Sequence, residues 1–125
     1  MQNFIKAQTS KSPKLTMDAQ KGRIELKGSS IMENSRAFYE PVLAWLKEYA
    51  RHPKNTVVHI DFDYFNSSSA KALISIFRAL ARVRKEGFSL TIDWCYSKDD
   101  DDMKECGENY ASMVDADFNI IEKTP

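Results

Sequence analysis

Three consecutive serines, Ser67 to Ser69, follow an asparagine at a point where the hydrophobic pattern of the chain changes. Alternating apolar residues before them predict a strand, and apolar residues at three- and four-residue spacing after them predict a helix. Small hydroxyl residues at such a junction cap the helix, because their oxygens accept hydrogen bonds from its first N–H groups. The same hydroxyls can accept a phosphoryl group, since the N-terminus of a helix favours an anion. The sequence therefore allows a plain helix cap or a phosphorylation switch.

A phosphoryl group on one of these serines would add close to two negative charges in the neighbourhood of Asp63. Lys71 follows one helical turn after Ser67 and is a candidate counter-charge. We expect the domain to tolerate this phosphate. At a surface that binds a partner, the phosphate would weaken binding through repulsion and the cost of desolvation.

The other chemistry-bearing residues do not form a catalytic or metal-binding pattern. Asp61 and Asp63 share one strand face, but no companion acid–base group can be placed beside them. The run from Asp99 to Asp102 lacks the ligand spacing and glycine of a calcium loop, so we expect it to cap a helix. Neither histidine pairs by spacing with a nucleophile, and no P-loop, nucleophile elbow or dinucleotide fingerprint is present. We predict a protein without catalytic residues, metal or cofactor.

Length, charge and cysteine content limit the classes of protein to which the chain can belong. The chain has 125 residues, which favours one domain, and 18 basic residues balance 18 acidic ones, which disfavours general binding to nucleic acid or anionic membranes. No apolar run is long enough to span a bilayer, and the first residues do not resemble a signal peptide. Cys95 and Cys106 lack metal-ligand spacing and are expected to stay reduced. We therefore expect a cytoplasmic protein.

Hydrophobic periodicity predicts the order β-β-α-β-α-β-α-β, in a single domain over 13–125 that follows a flexible N-terminal arm over 1–12. This order indicates an α/β fold with a mixed, mostly parallel sheet. Charged residues alternate along three strands, so the helices are expected mainly on one face. The predicted strands are 14–18, 22–27, 55–64, 88–96 and 118–121, with a last helix over about 99–114.

Particular residues sharpen this prediction. The alternation groups Tyr64 with Phe62 on the inner face, and it also turns Phe88 inward. Asn34 and Ser35 offer a cap for the first helix, which either kinks at Pro41 or begins its main part there. Ser97 and Asp99 are the candidate caps of the last helix.

Several segments together resemble the SiaC family of bacterial regulatory phosphoproteins, over about 13–121. Each segment alone is weakly specific, but their order and spacing are characteristic of the family. They are the junction from Asp63 to Leu73, Glu33-Asn34-Ser35, Phe38-Tyr39-Glu40-Pro41, Trp45-Leu46, and Trp94-Cys95-Tyr96 with the acidic helix start at Asp102-Met103.

The resemblance implies a STAS-like fold and a non-enzymatic binding protein, controlled by a serine/threonine kinase and a PPM-type phosphatase. The unphosphorylated form is expected to bind and activate a GGDEF diguanylate cyclase, which raises cyclic di-GMP and favours aggregation or biofilm growth. The resemblance assigns the phosphoacceptor to Ser67, where family members commonly carry Thr, with Ser68 and Ser69 as alternatives. Asn66, Ser67, Ser68 and Lys71 then form the partner-binding loop. The alternative function is a STAS-like antagonist of an anti-sigma factor or kinase that acts on transcription.

Overall fold

The computed structural model describes residues 1–124, which form six strands and three helices. In chain order the elements are β1 (Phe4–Lys6), β2 (Lys14–Asp18), β3 (Arg23–Ser30), α1 (Ser35–Tyr49), β4 (Thr56–Phe65), α2 (Ser67–Lys85), β5 (Leu90–Tyr96), α3 (Asp101–Met113) and β6 (Asp117–Glu122). None of the helices in this part of the chain is both long and apolar enough to cross a membrane.

The strands lie in one sheet in their sequence order, from β1 to β6. The first three strands pair antiparallel, and β3 to β6 pair parallel through α1, α2 and α3. Right-handed crossovers that always step in the same direction put all three helices on the same face. On β4 the inward residues Val58 and Ile60 are buried, whereas His59 and Asp61 on the other face are partly exposed. The predicted α/β class, mixed sheet and one-faced helix layer are confirmed.

Trp94 on β5 is fully buried and anchors α3 against the sheet. Its indole Nε1 donates a hydrogen bond to the Met103 carbonyl at 2.9 Å. Gly107 of α3 packs so closely on this ring that a Cβ there would clash with Trp94 Cδ1 and lie 2.7 Å from Nε1. The helix and the sheet are therefore in direct backbone-to-ring contact at Gly107.

The N-terminal residues are attached to the domain, which corrects the prediction of a flexible arm for residues 2–6. Phe4 pairs with Met17 in the short strand β1. Trp45 Nε1 donates to the Gln2 carbonyl at 2.9 Å, and the Asn3 side chain accepts from the Ala19 N–H at 3.0 Å. A strand of three residues is too short to show a hydrophobic period, so the sequence alone did not indicate it.

Other boundaries differ from the prediction for local reasons. Helix α1 is continuous from Ser35 past Pro41, so it does not begin at the proline. Strand β5 begins at Leu90, and Phe88 is 39% exposed, because the turn at Gly87 with φ of 94° returns the Phe88 N–H to the Val83 carbonyl. Both predicted caps of α3 are wrong, since Asp100 is the residue whose side chain accepts from the Met103 N–H.

Candidate functional site

The junction between β4 and α2 is fixed by Asn66, the N-cap of α2. Its side-chain oxygen accepts from the Ser69 N–H at 3.0 Å, and its Nδ2 donates to the Met32 carbonyl at 2.9 Å. Its backbone N–H donates to the Ser30 carbonyl at 3.0 Å. Asn66 thus joins the start of α2 to the end of β3, which holds the following serines in one geometry.

The three serines of the first turn have different surroundings. Ser69 is fully buried, so its hydroxyl is unreachable without local opening of the helix. Ser68 is exposed, but its hydroxyl donates to Ser35 Oγ at 2.8 Å and contacts Asn66 Oδ1 at 3.1 Å. Ser67 is exposed, and its hydroxyl makes no hydrogen bond within residues 1–124. Ser67 is therefore the most available hydroxyl of the junction.

Ser69 belongs to a buried cluster of hydroxyl groups that joins β3, α1 and α2. Ser30 Oγ lies 2.6 Å from the Tyr39 hydroxyl and 2.7 Å from Ser69 Oγ. Ser69 Oγ also lies 2.9 Å from Ser35 Oγ and donates to the Ser30 carbonyl at 2.8 Å. We call Ser30, Ser35, Tyr39 and Ser69 the hydroxyl cluster. Its members come from segments up to 39 residues apart.

One arrangement of protons satisfies the whole hydroxyl cluster. Tyr39 donates to Ser30, Ser30 donates to Ser69, and Ser69 donates to the Ser30 carbonyl. From the other side, Ser35 donates to Ser69 and accepts from Ser68. Burial raises the pKa of Tyr39 to about 12, so its hydroxyl stays neutral at physiological pH. No buried side-chain polar atom in the described part of the chain lacks a partner.

We expect Ser69→Ala to lower the free energy of unfolding by about 1–3 kcal/mol, because Ser30 and Ser35 lose a buried hydrogen-bond partner. Urea denaturation measures this change. Ser75→Ala, at an exposed serine of the same helix, is the matched control and should stay within about 0.5 kcal/mol of wild type. Equal stability of the two variants would show that the hydroxyl cluster does not hold the junction.

A β-bulge lies directly before the junction. Gly28 pairs with Phe62 but Ser29 pairs with Tyr64, so Asp63 is the extra residue of β4. The extra residue reverses the alternation, and Tyr64 is consequently 62% exposed, which contradicts its predicted inner position. Phe65 takes the inner position instead, where its ring centroid lies 5.9 Å from that of Trp94.

The carboxylate pair of β4 is engaged in an ion pair on the helix-free face of the sheet. Lys123 Nζ lies 2.8 Å from Asp61 and 4.0 Å from Asp63, and the hydrogen bond to Asp61 is the main cause that raises the Lys123 pKa. Cys95 lies 3.6 Å from His59 Nε2 on the same face. Burial, followed by the charges of Asp61 and Asp93, raises the Cys95 pKa, so its thiol stays protonated. The ion pair joins Lys123, directly after β6, to β4, and the Cys95–His59 contact joins β5 to β4.

The aspartate run lies at the start of α3, where Asp100 caps the helix and Asp101 and Asp102 occupy its first turn. This position is favourable for carboxylates because of the helix dipole. No group of three or more histidine, cysteine, aspartate or glutamate side chains within residues 1–124 is arranged to hold a metal ion.

Comparison with known protein families identifies the chain. Residues 6–123 match the family model described as SiaC family regulatory phosphoprotein. The chain belongs to the SiaC family. This family membership agrees with the motifs quoted from the sequence. The matched residues include all three helices and the site around Asn66.

The chain is about one quarter identical to individual proteins of Pseudomonas aeruginosa, and the solved structures among them share its fold. An uncharacterized protein of Pseudomonas aeruginosa strain UCBPP-PA14 is 25% identical over 113 residues, which is 90% of each chain. The crystal structure of apo-SiaC from Pseudomonas aeruginosa superposes with a TM-score of 0.88 at 24% identity, over 97% of this chain and 99% of that one. SiaC in the crystal structure of the diguanylate cyclase SiaD with its activator gives a TM-score of 0.89 at 23% identity, over 96% and 99%.

In the structure of this SiaC-family chain, Asn66, Ser67 and Ser68 lie at the β4–α2 junction, and Lys71 is exposed one turn later on α2. Sequence reasoning offered Ser35 only as a candidate helix cap and assigned no role to Ser30 or Tyr39. Ser35 and Tyr39 nevertheless lie in segments that carry the family resemblance. The family resemblance of those segments could have drawn attention to Ser35 and Tyr39. Their residue types alone do not indicate that these side chains lie close to Ser69.

Proposed function

We propose that this SiaC-family protein is a non-enzymatic, cytoplasmic partner-switching regulator whose switch is phosphorylation of Ser67. The single observation that carries the proposal is the difference between the three serines of α2. Ser67 is exposed and unbonded within residues 1–124, Ser68 is hydrogen-bonded to Ser35, and Ser69 is buried. A kinase needs an exposed hydroxyl that can enter the kinase active site without first breaking hydrogen bonds within the substrate protein. Of the three serines, Ser67 meets this requirement best.

The partner we propose is a GGDEF diguanylate cyclase, which the unphosphorylated form binds and activates. Support comes from the Pseudomonas aeruginosa structure of SiaD, a diguanylate cyclase, in complex with its activator SiaC. A serine/threonine kinase and a PPM-type phosphatase are the proposed regulators, as the family resemblance implies. Activation would raise cyclic di-GMP and favour aggregation or biofilm growth.

Elementary electrostatics explains why a phosphate at Ser67 would change binding more than folding. Ser67 is the first helical residue after the cap, so a phosphate there lies at the positive end of the α2 dipole. Lys71, one turn later, supplies a countercharge. A partner that covers this surface must instead desolvate the phosphate, which is unfavourable unless the partner offers its own cations.

We expect incubation with the cognate kinase and ATP to put phosphate on Ser67, because its hydroxyl has no competing hydrogen bond within residues 1–124. Phosphopeptide mapping by mass spectrometry is the measurement. Ser67→Ala should abolish incorporation, while the matched variant Ser68→Ala should retain it. Phosphate confined to Ser68 or Ser69, or no phosphate on any of the three, would contradict the proposal.

A further inference from the structure

A groove of about 500 Å³ runs between α1 and α2 and begins beside the candidate phosphoacceptor. Helix α2 presents small side chains along the groove at Ser68, Ala72 and Ser75, with Lys71 as its long lining side chain. Leu43 and Ala72 are partly exposed, so they form an apolar floor that water still reaches. We call this surface the α1–α2 groove, and its lining residues on both helices are Arg36, Tyr39, Leu43, Ser68, Lys71, Ala72 and Ser75.

The charges of the α1–α2 groove have one sign. Arg36 and Lys71 are its charged lining residues, and no carboxylate lines it. Both cations are exposed, and neither forms a salt bridge within the described residues, whereas other cations such as Lys14 and Arg84 do. The groove therefore combines an apolar floor with two uncompensated positive charges.

We infer that the α1–α2 groove receives an acidic amphipathic helix of the protein partner. A helix that lies in a groove buries apolar residues at three- and four-residue spacing, which suits the floor at Leu43 and Ala72. Carboxylates on its flanks would pair with Arg36 and Lys71, so charge complementarity selects an acidic segment over a basic one. The inference rests on the proposed partner switch and specifies the segment that the switch controls.

The position of the groove relates it to Ser67 through charge. Ser68 lines the groove directly after Ser67, and Lys71 lies one helical turn after Ser67. A phosphate on Ser67 would attract Lys71 and repel an acidic segment, so both effects oppose docking. Phosphorylation thus weakens occupancy of the groove without any change of fold.

A titration of the ¹⁵N-labelled full chain tests the inference without the cyclase. The probe is a synthetic helical peptide of about 20 residues with leucine on one face and glutamate elsewhere. Its twin carries lysine in place of glutamate. We expect the acidic peptide to shift the amide signals of Leu43, Ala72 and Ser75, and the basic twin to leave them unchanged. Equal effects of both peptides, or shifts elsewhere on the surface, would overturn the inference.

Charge reversal gives a second measurement in the same titration. Arg36→Glu combined with Lys71→Glu should weaken the acidic peptide about tenfold, from the loss of two exposed ion pairs and new repulsion. Lys85→Glu, at an exposed lysine near the end of α2, is the matched control and should leave the affinity unchanged. Concentration-dependent shifts of the same amides without peptide would assign the groove to a second copy of this chain and overturn the inference.

The same variants distinguish this inference from the proposed function. If the acidic peptide binds the groove and the wild type binds no diguanylate cyclase, the proposed function fails and the groove stands. If the cyclase binds and the double charge reversal leaves its affinity unchanged, the proposed function stands and the groove inference fails.

Discussion

Gly107→Ala is expected to lower the free energy of unfolding by about 3 kcal/mol, from overpacking and the loss of a buried hydrogen bond. The new methyl group would clash with Trp94 Cδ1 and lie 2.9 Å from Cγ. Trp94 cannot move aside easily, because the ring centroids of Tyr110 and Phe118 lie 5.4 Å and 6.4 Å from the centroid of its indole ring. The helix must therefore retreat, which also breaks the hydrogen bond from Trp94 to Met103.

Equilibrium denaturation by urea measures this effect, and its sign is informative. In an exposed helix, glycine to alanine usually stabilises by about 1 kcal/mol, so helix propensity alone predicts the opposite result. Glu108→Ala, at the next and exposed position of α3, is the control and should change stability by less than about 0.5 kcal/mol. A Gly107→Ala protein as stable as wild type would show that α3 does not contact the indole ring.

Phosphorylation of Ser67, or the Ser67→Glu substitution, is expected to weaken binding to the diguanylate cyclase about 50-fold. This corresponds to about 2.3 kcal/mol for a charge that must be desolvated and repelled at a protein interface. Ser67→Ala should stay within about threefold of wild type, because its hydroxyl has no hydrogen bond within residues 1–124 to lose. Calorimetric titration of each variant with the purified cyclase is the measurement.

A matched control distinguishes the effect of a negative charge at Ser67 from the effect of one added negative charge anywhere on the protein. Ser112→Glu adds the same charge at an exposed serine near the end of α3, outside the β4–α2 junction, and should leave cyclase affinity unchanged. Equal affinities for Ser67→Ala and Ser67→Glu would argue against the switch. Capture of an anti-sigma factor instead of a cyclase by the wild type would favour the alternative function on transcription.

Local signals were sufficient for much of the fold and part of the site. Residue type at the start of an apolar stripe predicts a cap at Asn34–Ser35 and another at Asn66–Ser67, because capping involves only the next three residues. The structure then selects Asn34 and Asn66 as the caps. The apolar alternation of β4 predicted the strand correctly up to the bulge. Beyond Phe62 the alternation predicted the wrong face for Tyr64. The bulge arises from the pairing of β4 with β3, so the sequence of β4 alone does not indicate it.

Taken by itself, the sequence determined the order of the main elements and the hydroxyl-rich start of α2. It did not distinguish the environments of the three serines, since they are chemically identical neighbours. Only the tertiary structure decided that Ser69 is buried against Ser30 and Ser35, that Ser68 is hydrogen-bonded, and that Ser67 is free of hydrogen bonds within residues 1–124. The physical reason is that burial and hydrogen bonding depend on segments more than 30 residues away, which the chain brings to the junction only when it folds.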